Sequence, residues 1–126
     1  MATYQIMILD SQRAEMLANW QRGREDDDFD PRPVVKLFNP VGAATWLLTE
    51  LVEDDGGDDC AGDIAFGLCD LGMGSPELGY VSLTELREVR LLGGALGIER
   101  DEHFKATKTL SEYAADARAA GRIEAY

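Results

Sequence analysis

The stretch from Val34 to Leu83 constrains the fold most, because four apolar runs follow one another there with almost no room between them. The runs are VVKLF (Val34–Phe38), TWLLTELV (Thr45–Val52), IAFGLCDL (Ile64–Leu71) and LGYVSL (Leu78–Leu83). Each is rich in branched and aromatic residues, and each is bounded by turn formers at Pro40–Gly42, Asp54–Gly62 and Gly72–Pro76. That is the pattern of strands joined by turns. Connections this short cannot hold a crossover helix, so the strands are expected to run antiparallel as a meander.

Helical signals flank the meander. Asp10 or Ser11 can cap a helix with Ala14, Leu17, Ala18 and Trp20 on one face, ending near Gly23. Tyr4–Leu9 before it reads as an edge strand or a lead-in. Ser82-Leu83-Thr84-Glu85 is a capping box, in which the Ser hydroxyl takes the Glu N–H and the Glu carboxylate returns to the Ser N–H. A stripe of Leu83, Leu86 and Val89 follows, stopped by Gly93-Gly94. The device recurs at Thr109–Glu112, opening a helix with Leu110, Tyr113, Ala114 and Ala117 inward and Gly121 at its end. Ile98–Phe104 can add a short strand. The expectation is one α+β domain over residues 1–126, a small antiparallel meander of three to five strands packed against two or three helices on one face. Its core is expected to contain Trp46, Leu48, Phe66, Leu68, Tyr80, Leu86, Val89 and Tyr113.

Charge is the unusual feature. The chain carries 24 acidic and 12 basic residues, a net charge of −12 on 126 residues. Such a balance repels phosphates, which argues against direct nucleic-acid binding and against anionic membranes. Eleven of the acids fall in two runs without a Lys or Arg: Glu25, Asp26, Asp27, Asp28 and Asp30, then Glu53, Asp54, Asp55, Asp58, Asp59 and Asp63. Setting those 11 aside leaves 13 acids against 12 bases, so the excess is local. Carboxylates grouped in this way can occupy a basic groove on another protein, with fast and salt-sensitive association. They can equally be a solubilising surface on polar loops. The DDGGDD spacing lacks the alternating ligands and distal Glu of an EF-hand, which argues against a calcium loop.

Reactive groups are few. Lys36, Glu50 and Asp70 sit on strands, Glu50 sharing a face with Trp46 and Leu48, and Asp70 with Phe66 and Leu68. Were those faces to coincide, a lysine and two carboxylates would line one acid–base pocket, the basis for a small hydrolase or transferase. Charges near strand ends also emerge into water without any chemistry. His103, the single histidine, has no second ligand at a helical or hairpin spacing. Cys60 and Cys69 lack zinc spacing; Cys69 reads as packing, and Cys60 sits in an acidic loop that blunts a thiolate. GMGSPELG (Gly72–Gly79) leads to a strand where a dinucleotide fingerprint needs a helix. No cofactor is indicated. The ten residues from Met1 lack a basic start and a cleavage site, and no span approaches a membrane helix, so a cytoplasmic protein with reduced thiols is expected.

Beyond these local readings, PVVKLF (Pro33–Phe38), ATWLLTEL (Ala44–Leu51), FGLCDLG (Phe66–Gly72), PELGYVSL (Pro76–Leu83), ERDEHF (Glu99–Phe104) and LSEYA (Leu110–Ala114) together resemble the bacterial family DUF2958. The resemblance implies a bacterial protein, often encoded on mobile elements, and brings no activity with it. The stretch Asp54–Asp63 is longer and more charged than the family's usual connection. A mobile-element setting makes host defence a natural target. The expected function is therefore a non-enzymatic accessory protein that binds a basic protein surface. An inhibitor of a restriction or CRISPR component, acting as a nucleic-acid mimic, is one form of it.

Overall fold

A computed structural model describes residues 6–52 and 63–125. Its elements run α1 (Asp10–Glu25), β1 (Val35–Phe38), β2 (Thr45–Leu51), β3 (Ile64–Asp70), β4 (Glu77–Ser82), α2 (Leu83–Glu88), a 3-10 turn at Leu92–Gly94, β5 (Glu99–Arg100) and α3 (Leu110–Ala120). The fold is α+β. The five strands form one open sheet, β4-β3-β2-β1-β5, with every neighbouring pair antiparallel. The four apolar runs thus pair in chain order, as short turns require. In the first turn Asn39 supplies the local chemistry, its side-chain oxygen accepting from the Val41 N–H at 2.9 Å.

Helices cover both faces, where the sequence suggested one. On the first face Met16 of α1 and Leu83 and Leu86 of α2 pack with Val35, Leu37, Trp46, Leu48, Leu51 and Ala65. On the second, Leu110, Tyr113, Ala114 and Ala117 of α3 pack with Leu47 and Leu68. Central strand β2 shows why two faces are needed. Trp46, Leu47, Leu48 and Thr49 are all buried in succession, so both sides of the strand must be covered. The α3 residues recur at i, i+3, i+4 and i+7, the apolar stripe the sequence displays. Thr109 caps that helix, its N–H donating to Glu112 Oε1 at 2.9 Å, and Gly121 ends it in the left-handed conformation at φ 77°.

Three helix expectations need correction. Leu9 is the N-cap of α1, with its N–H bonded to Gln12 Oε1 at 2.9 Å, so neither Asp10 nor Ser11 caps it. The fully buried residue of α1 is Met16, with Leu17 packed against the same core and Ala14 and Ala18 exposed, and the helix ends at Glu25, two residues past Gly23. Residues 6–9 form a lead-in whose Met7 and Ile8 enter the core. α2 stops at Glu88, well before Gly93-Gly94. Its N-cap is Ser82, accepting from the Glu85 N–H at 3.2 Å, and the Thr84 N–H goes to Asp63 at 2.7 Å.

Most of the expected core residues are inside. Trp46, Leu48, Leu68, Leu86 and Tyr113 are buried, and Phe66 and Val89 pack against the clusters from partly buried positions. Tyr80 is the exception at 68% exposed, because β4 is an edge strand and α3 packs chiefly on β3.

A bulge in β2 locks the centre. Leu48 pairs with Gly67 and Glu50 with Phe66, leaving Thr49 as the extra residue. The Thr49 carbonyl accepts from Asn19 Nδ2 of α1 at 2.9 Å, and its hydroxyl donates to the Phe66 carbonyl at 3.3 Å. Both polar groups of the fully buried Thr49 side are thereby satisfied. Opposite, a Cβ on Gly67 would stand 2.0 Å from the Leu47 carbonyl oxygen, a backbone atom that cannot yield. Gly67→Ala is therefore expected to destabilise the fold by more than about 3 kcal/mol, read as a fall in the urea midpoint.

Candidate functional site

The described members of the two acidic runs are Glu25, Asp26, Asp27, Asp28, Asp30 and Asp63, and their placement follows from how the first strands pair. β1 and β2 pair from Val35↔Leu48 to Phe38↔Thr45, so the chain enters β1 and leaves β2 at the same end. α1 delivers its C-terminus there: Glu50 Oε1 lies 3.7 Å from where a Cβ on Gly23 would stand. Glu25, Asp26, Asp27, Asp28 and Asp30 are all exposed. Acids just past a helix C-terminus oppose the helix dipole. The favourable sign comes from Arg22 and Arg24 in the last turn, whose guanidiniums lie over the Phe29 and Trp20 rings at 4.6 and 4.7 Å. Asp26 organises the turn, its Oδ1 accepting from the Asp28 N–H at 3.0 Å.

Among the described acids of the two runs, Asp30 and Asp63 bond to the starts of helices. Asp30 accepts from the N–H of Ser111 at 3.1 Å and from the Ser111 hydroxyl, at the start of α3. Burial alone would raise its pKa; the bonds from Ser111 and Thr109 hold it below the usual carboxylate range. Asp63 does the same for α2, accepting from the Thr84 hydroxyl, the Thr84 N–H and Ser82 Oγ (2.8 Å), and Thr84 above all lowers its pKa. These two carboxylates tie residues 30 and 63 to the helix starts. Glu53, Asp54, Asp55, Asp58 and Asp59, with Cys60, lie outside the described residues.

The strand-borne groups do not assemble. Lys36 Nζ donates to the Ala125 carbonyl at 2.6 Å and pairs with Asp101 at 3.3 Å, within a cavity of about 300 Å³ shared with Phe38, Asn39 and Thr45. Desolvation opposes the Asp101 charge, but the His103 N–H and Lys36 lower its pKa on balance. Asp70 is 2% exposed and lines a different cavity of about 560 Å³, with Gly121, Arg122 and Ile123. Its two oxygens accept from the N–H groups of Gly72 at 2.8 Å and Ile123 at 2.9 Å. Lys36 and Asp70 thus act on one object, the segment after α3, which they hold at Ile123 and Ala125. Pairing over 53 and 89 residues left no mark in the local sequence.

Glu50 is displaced by the bulge. Leu51 joins Trp46 and Leu48 in the first core, while Glu50 pairs with Phe66 and its carboxylate lies beside Gly23 of α1. Its carboxyl is half-buried, and desolvation raises its pKa. His103 is exposed, donating its backbone N–H to Asp101 at 2.9 Å. Burial raises the Cys69 thiol as well, which suits a packing role. Among the described residues no three of His, Cys, Asp and Glu converge as a metal site, and no helix is long and apolar enough to cross a membrane.

The architecture is that of an α+β protein built on an antiparallel meander covered on both faces. Residues 7–124 match the family model described as protein of unknown function (DUF2958), and the chain belongs to that family. Neither a curated protein nor a solved structure matches it.

Two outcomes follow from the carboxylates. Asp70→Ala strands the Gly72 and Ile123 N–H groups and is expected to cost about 1–3 kcal/mol, with faster hydrogen exchange at residues 121–125. Glu50 has a folded pKa above its ordinary 4.5, so its charge weakens the fold at neutral pH. Glu50→Gln is expected to raise the thermal midpoint at neutral pH. That gain should disappear as pH falls below 4.5, where the carboxyl is protonated folded or unfolded.

Proposed function

We propose that the chain is a non-enzymatic binding protein that engages a basic surface on another protein through its acidic end. The observation that carries this reading is the placement of Glu25–Asp28, exposed beside the end of β2 from which the second acidic run departs. The exposed carboxylates at that end would give a local negative field that steers and orients a cationic partner. A DNA- or RNA-binding component of a host defence system, with a groove lined by Lys and Arg, is the partner type such a surface suits. Carboxylates in that groove would compete with phosphates.

An acid–base enzyme finds less support. Lys36 and Asp70 line separate cavities, both oxygens of Asp70 are taken by backbone N–H groups, and Glu50 and His103 line neither cavity.

The test spares the two acids that bond to helix starts. Asp26, Asp27, Asp28, Asp54, Asp55, Asp58 and Asp59 are changed together to Asn, leaving the helix-bridging Asp30 and Asp63 in place. The variant is expected to fold with an unchanged circular dichroism spectrum. Proteins captured by the tagged wild type from a bacterial host lysate at low salt should be lost, and the wild-type capture should fade as salt rises. Capture of the same proteins by the variant would make the acidic end a solubilising surface only.

A further inference from the structure

The two edges of the sheet are protected very differently. At one edge β5 is two residues long and both are charged, Glu99 and Arg100. Short, charged edges resist pairing with another strand. At the other edge β4 is six residues long, and Glu77 at its start is its single charge. Its inner side pairs with β3 from Cys69↔Glu77 to Ile64↔Ser82. Its outer side makes no backbone hydrogen bond with any described residue.

The side chains of β4 extend the exposed surface. Leu78 pairs with Leu68 and Tyr80 with Phe66, on the face that α3 covers further in. α3 stops short of them, leaving Leu78 40% and Tyr80 68% exposed, with the Tyr80 ring resting on Phe66 at 5.0 Å. On the opposite face Gly79 has nothing within 4 Å of a Cβ position. A strand edge that the described residues leave open, flanked by an apolar strip, suits another strand with apolar residues at alternate positions.

We propose that the occupant is the β4 of a second copy, joined antiparallel about a two-fold axis through Gly79 to make one continuous ten-stranded sheet. The strand is self-complementary in that register. Gly79 faces its own mate, Leu78 lies beside the Tyr80 of the second copy, and Tyr80 beside its Leu78. Glu77 faces Val81, so the two Glu77 carboxylates stand about 13 Å apart along the joint, with no like charges opposed. Charge selects the antiparallel sense. The acidic end of each chain lies at the Ser82 end of β4, where Asp63 bonds Ser82 and Thr84. Antiparallel pairing sends the two acidic ends in opposite directions, whereas parallel pairing would set them side by side.

Sedimentation velocity on the full chain from micromolar to millimolar concentration tests this. The mass is expected to rise towards twice 13.8 kDa. Leu78→Lys with Tyr80→Lys, both exposed and so tolerated by the fold, should hold the chain at monomer mass throughout. Gly79→Cys should form a covalent dimer on mild oxidation, well beyond that of the unsubstituted chain. A monomer at every concentration would overturn the proposal. So would a dimer that survives the double lysine change, since it would be built elsewhere.

Discussion

The close approach of Gly67 to β2 is the constraint on which the rest of the structure depends. With no side chain at 67, the Leu47 carbonyl can sit where a Cβ would be, and β2 can accommodate Thr49 as an extra residue. The bulge turns the Thr49 carbonyl out of the ladder to meet Asn19, which ties α1 to the middle of the sheet. It also resets the side-chain alternation, so Leu51 enters the first core with Trp46 and Leu48. Sheet, helix and the position of a half-buried carboxylate therefore share one cause.

Carboxylates hold the second layer of organisation. Asp63 reaches α2, Asp30 reaches α3, and Asp70 fixes the segment after α3. Each accepts two or more hydrogen bonds, a use for which an ionised carboxyl is well suited. Among the described acids, Asp30, Asp63 and Asp70 fasten helices and strands, whereas Glu25, Asp27 and Asp28 stand exposed at the end of α1. A functional surface can draw on the second group without cost to the fold. That division restricts the candidate interaction site more than the net charge does.

The meander was legible because its signals are local. Runs of branched residues and Gly, Pro and Asn turns place β1 to β4 within a residue or two, and the capping box and apolar stripe place α3. The first helix was harder, since its cap is a leucine and its buried side is little more than Met16. An apolar stripe that narrow gives no strong period. Tyr80 misled for a different reason: alternation says which face a residue takes, but not whether anything covers that face.

By itself, the sequence determined the strands, their antiparallel order, the last helix, the DUF2958 membership and the concentration of charge in two runs. These depend on residues near one another in the chain, or on patterns summed along it. Only the tertiary structure decided that helices cover both faces, that Lys36 and Asp70 hold the segment after α3, and that Asp30 and Asp63 serve helices. Those contacts join residues up to 89 positions apart. Hydrogen-bonding capacity is written in the residue type, but the partner is chosen by how the chain folds back, and no local spacing encodes that choice.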